Sequence, residues 1–363
     1  MSSTISLDRA ASPFVASGRA SRPRIADDKA MLKAAAELTR DLHAPKPLVY
    51  WGDLLASALV GYGALAAAIH LGATHWAALA GVVAVFALYR AGSFIHEVSH
   101  MKHAALPGFR AGWNAVVGVS LMIPSFMYEG VHNLHHAKTR YGTVEDPEYL
   151  PLALMKPWTV PVFVLVSALA PIGFLLRYAV LTPLSFIVPG LRRTVVERFS
   201  ALAINPQFRR RMPEGEAKRL WDRIEIATSA WAITLIAAVA TGAVPLRSFG
   251  IFLLVISATM VLNQVRTLVA HLWENEGEPM SVTAQYLDSV NVPPPSLLPA
   301  LWAPVGLRYH ALHHLLPGVP YHSLGEAHRR ITAVLEPGSP YHKASYKGLP
   351  RLLGRLVGST FGR

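Results

Sequence analysis

Long uninterrupted apolar runs set the first limit on what this chain can fold into. A helix that crosses a membrane needs about 20 mostly apolar residues. "LLASALVGYGALAAAIHLG" (54–72) and "WAALAGVVAVFALYRAGSFI" (76–95) supply them, with an uncharged turn between. A second hairpin follows at 226–246 and 249–271, with only Arg247 in its turn. Between the hairpins, residues 158–189 are apolar but interrupted by Pro161, Pro171, Pro183 and Pro189. That stretch is too long for one straight span and barely long enough for two. It predicts a membrane-embedded or interfacial helical pair that enters and leaves on one side. The expected class is an all-α, multi-pass membrane protein with two long transmembrane hairpins, interfacial or re-entrant helices, and a cytoplasmic cap. Charge content agrees, at 15% of the 363 residues against about 25% in soluble domains.

The remaining charge fixes a side. The formal net charge is +12, a balance that often means nucleic acid. Here Lys and Arg collect between the apolar spans, above all at 192–223 and in the N-terminal arm. They read as markers of the cytoplasmic side and of anionic lipid, and no nucleic-acid partner is expected. Each hairpin then returns its second helix to the cytoplasm, at His96 and at His271. The run at 113–128 must start and end there, as a short re-entrant or surface helix. No cleavable signal peptide is expected. Residues 1–47 form a cytoplasmic arm with an amphipathic helix near 27–44, 48–335 the membrane domain, and 336–363 a basic C-terminal tail. The chain has no Cys, which excludes disulfides, thiolate-bound iron–sulfur clusters and a CxxC redox pair.

Sixteen histidines, by contrast, need a cause. Most fall in three clusters: His96, His100 and His103 in "HEVSHMKH"; His132, His135 and His136 in "HNLHH"; His310, His313 and His314 in "HALHH". Taken alone, "HEVSH" spells a zinc-protease helix with Glu97 as general base. The two H-x-x-H-H pentads change that reading. Spacings of three and four residues bring imidazoles to one face of a helix. All three clusters lie just beyond the membrane on the side assigned to the cytoplasm. So many nitrogen ligands exceed a four-coordinate zinc site and suit two octahedral first-row metals, iron among them. His70 and His75 lie in the opposite turn, about 30 Å away, and cannot join them. His43, His328 and His342 read as ordinary polar residues.

"HEVSH", "HNLHH" and "YHALHHLLPGVPYH", set after hydrophobic hairpins, resemble the integral-membrane fatty acid desaturase superfamily over residues 50–335. Its hydroxylase and ketolase relatives share the plan. The resemblance implies a centre of two iron ions (Fe2+), with O2 as co-substrate, that attacks an unactivated C–H bond. Matched by motif, the ligands are His96, His100, His132, His135, His136, His310, His313 and His314. Such desaturases often take one more histidine from the end of the last membrane helix, where "RTLVAH" places His271. His103 suits either a ligand or a surface role, and the role of His322 in "PYH" stays open. Glu97 and Asp146 are expected to orient ligating imidazoles by hydrogen bonds, with Glu145 an alternative to Asp146.

The resemblance implies a membrane desaturase acting on a lipid or acyl chain. Trp113, Phe126 and Trp302 could line its tunnel or serve as anchors or core. The alternatives are a hydroxylase or ketolase of an alkyl, acyl or isoprenoid chain, and a non-enzymatic membrane metal carrier. A carrier needs ligands along a path through the bilayer, whereas these lie on one side. Electrons must come from a separate ferredoxin or cytochrome b5-like donor with its reductase. Arg209 to Arg211 could serve that partner or simply mark topology. Alanine- and arginine-rich usage points to a bacterial inner membrane, with the active site facing the cytoplasm.

Overall fold

The computed structural model describes residues 24–296 and 298–361. Among the described residues the chain is helical, and pairing of extended backbone is limited to three isolated bridges. The longer helices are α1 (Lys29–Leu38), α2 (Pro47–His70), α3 (His75–His100), α4 (Thr159–Ile187), α5 (Pro189–Phe199), α6 (Gly215–Ala240), α7 (Leu246–Leu268), α8 (Leu324–Val334) and α9 (Leu349–Phe361). Five of them, α2, α3, α4, α6 and α7, are long and apolar enough to cross a membrane. The protein is an integral membrane protein.

Local chemistry explains the first hairpin. Pro47 opens α2, where its missing N–H costs nothing. Thr74 caps α3 by accepting the Ala77 N–H. Gly61 lets the two helices meet closely: a Cβ there would stand 2.6 Å from Leu88 Cδ2. Helix α3 then packs on α7, so the C-terminal ends of both hairpins meet.

The expected helical pair at 158–189 is instead one continuous rod, α4, of 29 residues. Pro189 does mark a break, opening α5 after the extended Val188, and Pro161 lies in the first turn of the rod. Pro171 and Pro183 are accommodated within it by changes of helix type. The rod passes through a 3₁₀ turn at Val166–Leu169 and a π turn at Leu176–Leu181. Pro171 has no N–H to give the preceding turn, and the Ser257 hydroxyl of α7 donates to the Ala168 carbonyl instead, at 2.7 Å. Beyond the rod the chain folds back. Leu202 N–H donates to the Met127 carbonyl at 2.8 Å, and Ile204 N–H to that of Pro147 at 2.9 Å. Arg210 Nη2 reaches the Glu129 carbonyl at 2.8 Å. Residues that follow α4 therefore lie beside the loops that carry the second histidine box.

The run at 113–128 is a buried dip. Its helix, Phe109–Trp113, passes through a π turn and returns by a 3₁₀ turn at Ser125–Met127. The Tyr62 hydroxyl donates to the Val116 carbonyl at 2.8 Å, and Trp231 Nε1 to that of Ser120 at 3.0 Å. Both partners sit well inside their helices.

The amphipathic helix of the N-terminal arm is α1, but its apolar face packs on protein. Met31 and Ala35 are buried with Leu312, Leu324 and Ile331, beside the third box. Residues 1–23 of the arm lie outside the described residues. In the C-terminal tail, α9 buries Leu352 and Leu356 against Tyr149 and Leu152.

One buried ion pair anchors the rod. Arg177 Nη2 donates to Glu225 Oε1 of α6 at 2.6 Å, and Arg192 joins the same carboxylate at 2.8 Å. Breaking such a pair leaves an uncompensated buried charge, at a cost of about 3–5 kcal/mol. Glu225→Gln is expected to lower the melting temperature sharply in detergent. The double change Arg177→Met with Glu225→Leu should recover part of that loss, since Arg192 keeps Asp222 at 3.2 Å; equal melting of wild type and E225Q would contradict the anchor.

Candidate metal centre

Four segments distant in sequence bring nine histidines together. The last turn of α3 presents His96 and His100 on one face. The short helix His132–His135 and its cap His136 carry the second box, and the helix His310–Leu315 carries the third. His271 follows α7, where its backbone bridges to Ser289. The nine sort into two groups whose nitrogens lie within 4.8 Å of one another: His96, His100, His132, His136 and His313; and His135, His271, His310 and His314. Each pentad is shared. Its first and fifth residues join one group, and its fourth reaches across to the other.

The nitrogens face each other. Nε2 to Nε2 separations are 2.9 Å for His313–His100, 3.0 Å for His136–His132 and His310–His271, and 3.2 Å for His313–His136 and His314–His310. Two ligands at right angles on a metal, each about 2.1 Å from it, stand about 3.0 Å apart. Buried Nδ1 atoms of His96, His313 and His314, and Nε2 of His96, have no partner among the described residues. Burial first, then neighbouring imidazoles and Arg266, hold His132, His136, His271, His310, His313 and His314 well below the ordinary histidine pKa. They are neutral, with lone pairs free to bind a cation. Five and four nitrogen donors leave open positions on octahedral metals, and an all-imidazole set suits iron.

Carboxylates stand behind the imidazoles. His135 Nδ1 lies 3.0 and 2.9 Å from the two oxygens of Asp146. His135 is raised in pKa: burial opposes the shift and Asp146 overrides it. His132 Nδ1 meets Glu148 at 2.9 Å and the Tyr128 hydroxyl at 2.8 Å. The Tyr141 hydroxyl bridges His271 Nδ1 and Asp288, at 2.8 Å each. Burial pushes Glu148 up to about 7 and Asp288 to about 6, so both gain from nearby positive charge. Glu97 differs from expectation. Its carboxylate accepts from the Tyr50 hydroxyl and, at 3.1 Å, from the Tyr321 N–H, while His96 Nδ1 stays 3.7 Å away.

Other residues fall outside the clusters. His103 is half-exposed, 4.0 Å from Glu129. His322 Nε2 accepts the Lys46 N–H at 3.1 Å. Glu145 is exposed and pairs with Arg140. Trp113, Phe126 and Trp302 pack in the cores. Arg210 is tied to the Ser200 and Glu129 carbonyls and lies over Trp221, so it is committed to the fold and unavailable to a partner.

A cavity of about 680 Å³ opens from the histidines between α3, α4 and α7. His96, His135, His271 and His310 contribute to its lining, with apolar side chains such as Phe163 and Met260.

The family model described as "Fatty acid desaturase" matches residues 73–345. The chain belongs to the fatty acid desaturase family. It is also 48% identical over 333 residues to a protein named ceramide hydroxylase from Caulobacter vibrioides (strain NA1000 / CB15N), covering 92% of this chain and 95% of that one. No solved structure matches it. Membership makes it an enzyme of a membrane di-iron family, and two histidine clusters able to hold metal ions accompany it.

Removing the carboxylate behind a ligating histidine typically weakens metal binding about 10- to 100-fold. Asp146→Ala is expected to do so in metal titrations while His103→Ala changes nothing; the reverse order would undo the grouping. Acid should act separately. The unfolded chain takes up protons near pH 6.5, where the buried histidines do not, so stability falls as pH drops through this window. The melting temperature of metal-free protein should decline between about pH 7 and pH 5, and a flat profile would contradict the burial.

Proposed function

We propose that this protein hydroxylates a ceramide-type lipid in the membrane, using O2 and two electrons from a separate donor. The observation that carries the proposal is 48% identity to a ceramide hydroxylase over nearly the whole of both chains, together with a lipid-sized apolar cavity lined in part by the histidines. Desaturation, the first expectation from the three boxes, gives way to hydroxylation on that identity. The balance is one C–H bond and O2, with two electrons and two protons, giving one C–OH and one water.

In this reading the nine clustered histidines hold two iron ions. Iron bound there supplies activation of O2 for attack on a C–H bond. The chain's residues do the rest. Asp146, Glu148 and Tyr141 fix the ring orientation of His135, His132 and His271. The apolar walls from α3, α4 and α7 hold the chain beside the histidines that line the cavity and keep bulk water out. His103 takes no part.

The contacts also support an orientation. Helices α3 and α7 both end at the histidines, so the chain between them crosses the membrane an even number of times. With α6 and α7 crossing, α4 does not complete a crossing, and its return to residues 127–147 fits that count. The positive-inside rule puts the histidines on the cytoplasmic side. The relative's source fits a bacterial inner membrane. A ferredoxin or cytochrome b5-like donor would dock on this face.

The test is lipid profiling by mass spectrometry in a ceramide-containing host, with iron analysis of the purified protein. Wild type should add one oxygen to ceramide and carry iron; His135→Ala should lose both. A product lacking two hydrogens, or a mutant that keeps iron and product, would overturn the reading.

A further inference from the structure

Beside the metal-centre histidines, one face of α7 breaks the apolar wall of the cavity. Thr259, Asn263, Gln264, Arg266 and Thr267 all line it. The two threonines turn back on their own helix, donating to the Val255 and Asn263 carbonyls at 2.9 Å each. The carboxamides of Asn263 and Gln264 have no hydrogen-bond partner among the described residues, although both border the cavity. Arg266 is buried, and among the described residues its side chain bonds only His310 Nδ1, at 3.2 Å. A guanidinium has five donors, so most of its capacity is left over. Asn263 precedes His271 by eight residues, the first five of them within α7.

Amides without a partner and a guanidinium with spare donors are costly in a membrane helix, and they mark where a polar ligand comes. A carboxamide offers N–H donors and a carbonyl acceptor, which complements a secondary amide. An ester has the carbonyl but no N–H. We propose that Asn263 and Gln264, with Arg266 nearer the metals, form an amide-reading site that selects N-acyl lipids over ester-linked acyl lipids. This rests on the proposed action on a ceramide-type lipid. The amide N–H donates to a carboxamide oxygen, and the lipid's carbonyl and hydroxyl oxygens accept from the carboxamides and from Arg266. Leaving such groups unpaired should cost about 10- to 100-fold in affinity.

The experiment measures equilibrium binding of radiolabelled N-palmitoyl dihydrosphingosine and of dipalmitoylglycerol to purified iron-loaded protein in detergent. The variants are Asn263→Leu and Gln264→Met, which keep side-chain size and suit a membrane helix. The expected result is a 10- to 100-fold loss for the amide lipid and a clearly smaller loss for the ester lipid, which keeps its carbonyl but has no N–H to lose. Unchanged amide-lipid affinity in both variants overturns the proposal. So does an equal loss for both lipids, or a loss that accompanies loss of iron. Failure of the hydroxylase reading looks different: wild type binds the amide lipid selectively yet adds no oxygen to it.

Discussion

Nine clustered imidazoles, seven of them buried, point nitrogen to nitrogen, an arrangement that cations held between them would satisfy. At 2.9–3.2 Å, neutral rings cannot all donate to one another, since each carries one N–H and one lone pair. Satisfying those lone pairs with metal requires four segments separated by up to two hundred residues to converge within ångströms. Much of the architecture serves that convergence. The ends of α3 and α7 meet, and the 271–291 segment is pinned by isolated bridges at His271–Ser289 and Asn291–Tyr309. The chain after α4 returns to buttress the second box. The N-terminal helix α1 seals the far side of the third.

The acids show how the surroundings are graded. Those touching imidazoles, Asp146 and Glu148, and Asp288 one tyrosine away, are all enclosed. Glu97 sits next to His96 in sequence yet spends its carboxylate on Tyr50 and Tyr321. It ties the first box to α2 and to the segment after the third box, bracing the scaffold where the others steer rings.

The membrane class and the nine clustered histidines were legible because hydrophobic length and H-x-x-H-H spacing are local signals. How the pentads divide between two groups was not, since that depends on how three short helices face each other. The rod α4 was misread for a physical reason: proline removes a hydrogen bond, but a 3₁₀ or π turn and a hydroxyl from a neighbouring helix can replace it. Glu148, Tyr128, Tyr141, Asp288 and Arg266 were missed because nothing in their own stretches says which ring they will meet. Glu148 lies only two residues past Asp146, so the "EDPEY" stretch held the signal without its assignment. Arg209 to Arg211 look like one basic patch in the sequence, whereas folding ties Arg210 to the Ser200 and Glu129 carbonyls.

The orientation proposed for α4 has a consequence for the bilayer itself. In the proposed orientation four helices cross both leaflets, while α4 adds its girth to the cytoplasmic one alone. The protein then displaces more lipid from one leaflet than from the other and has the outline of a wedge. A wedge imposes bending on the sheet around it and sits with least strain where that sheet already curves.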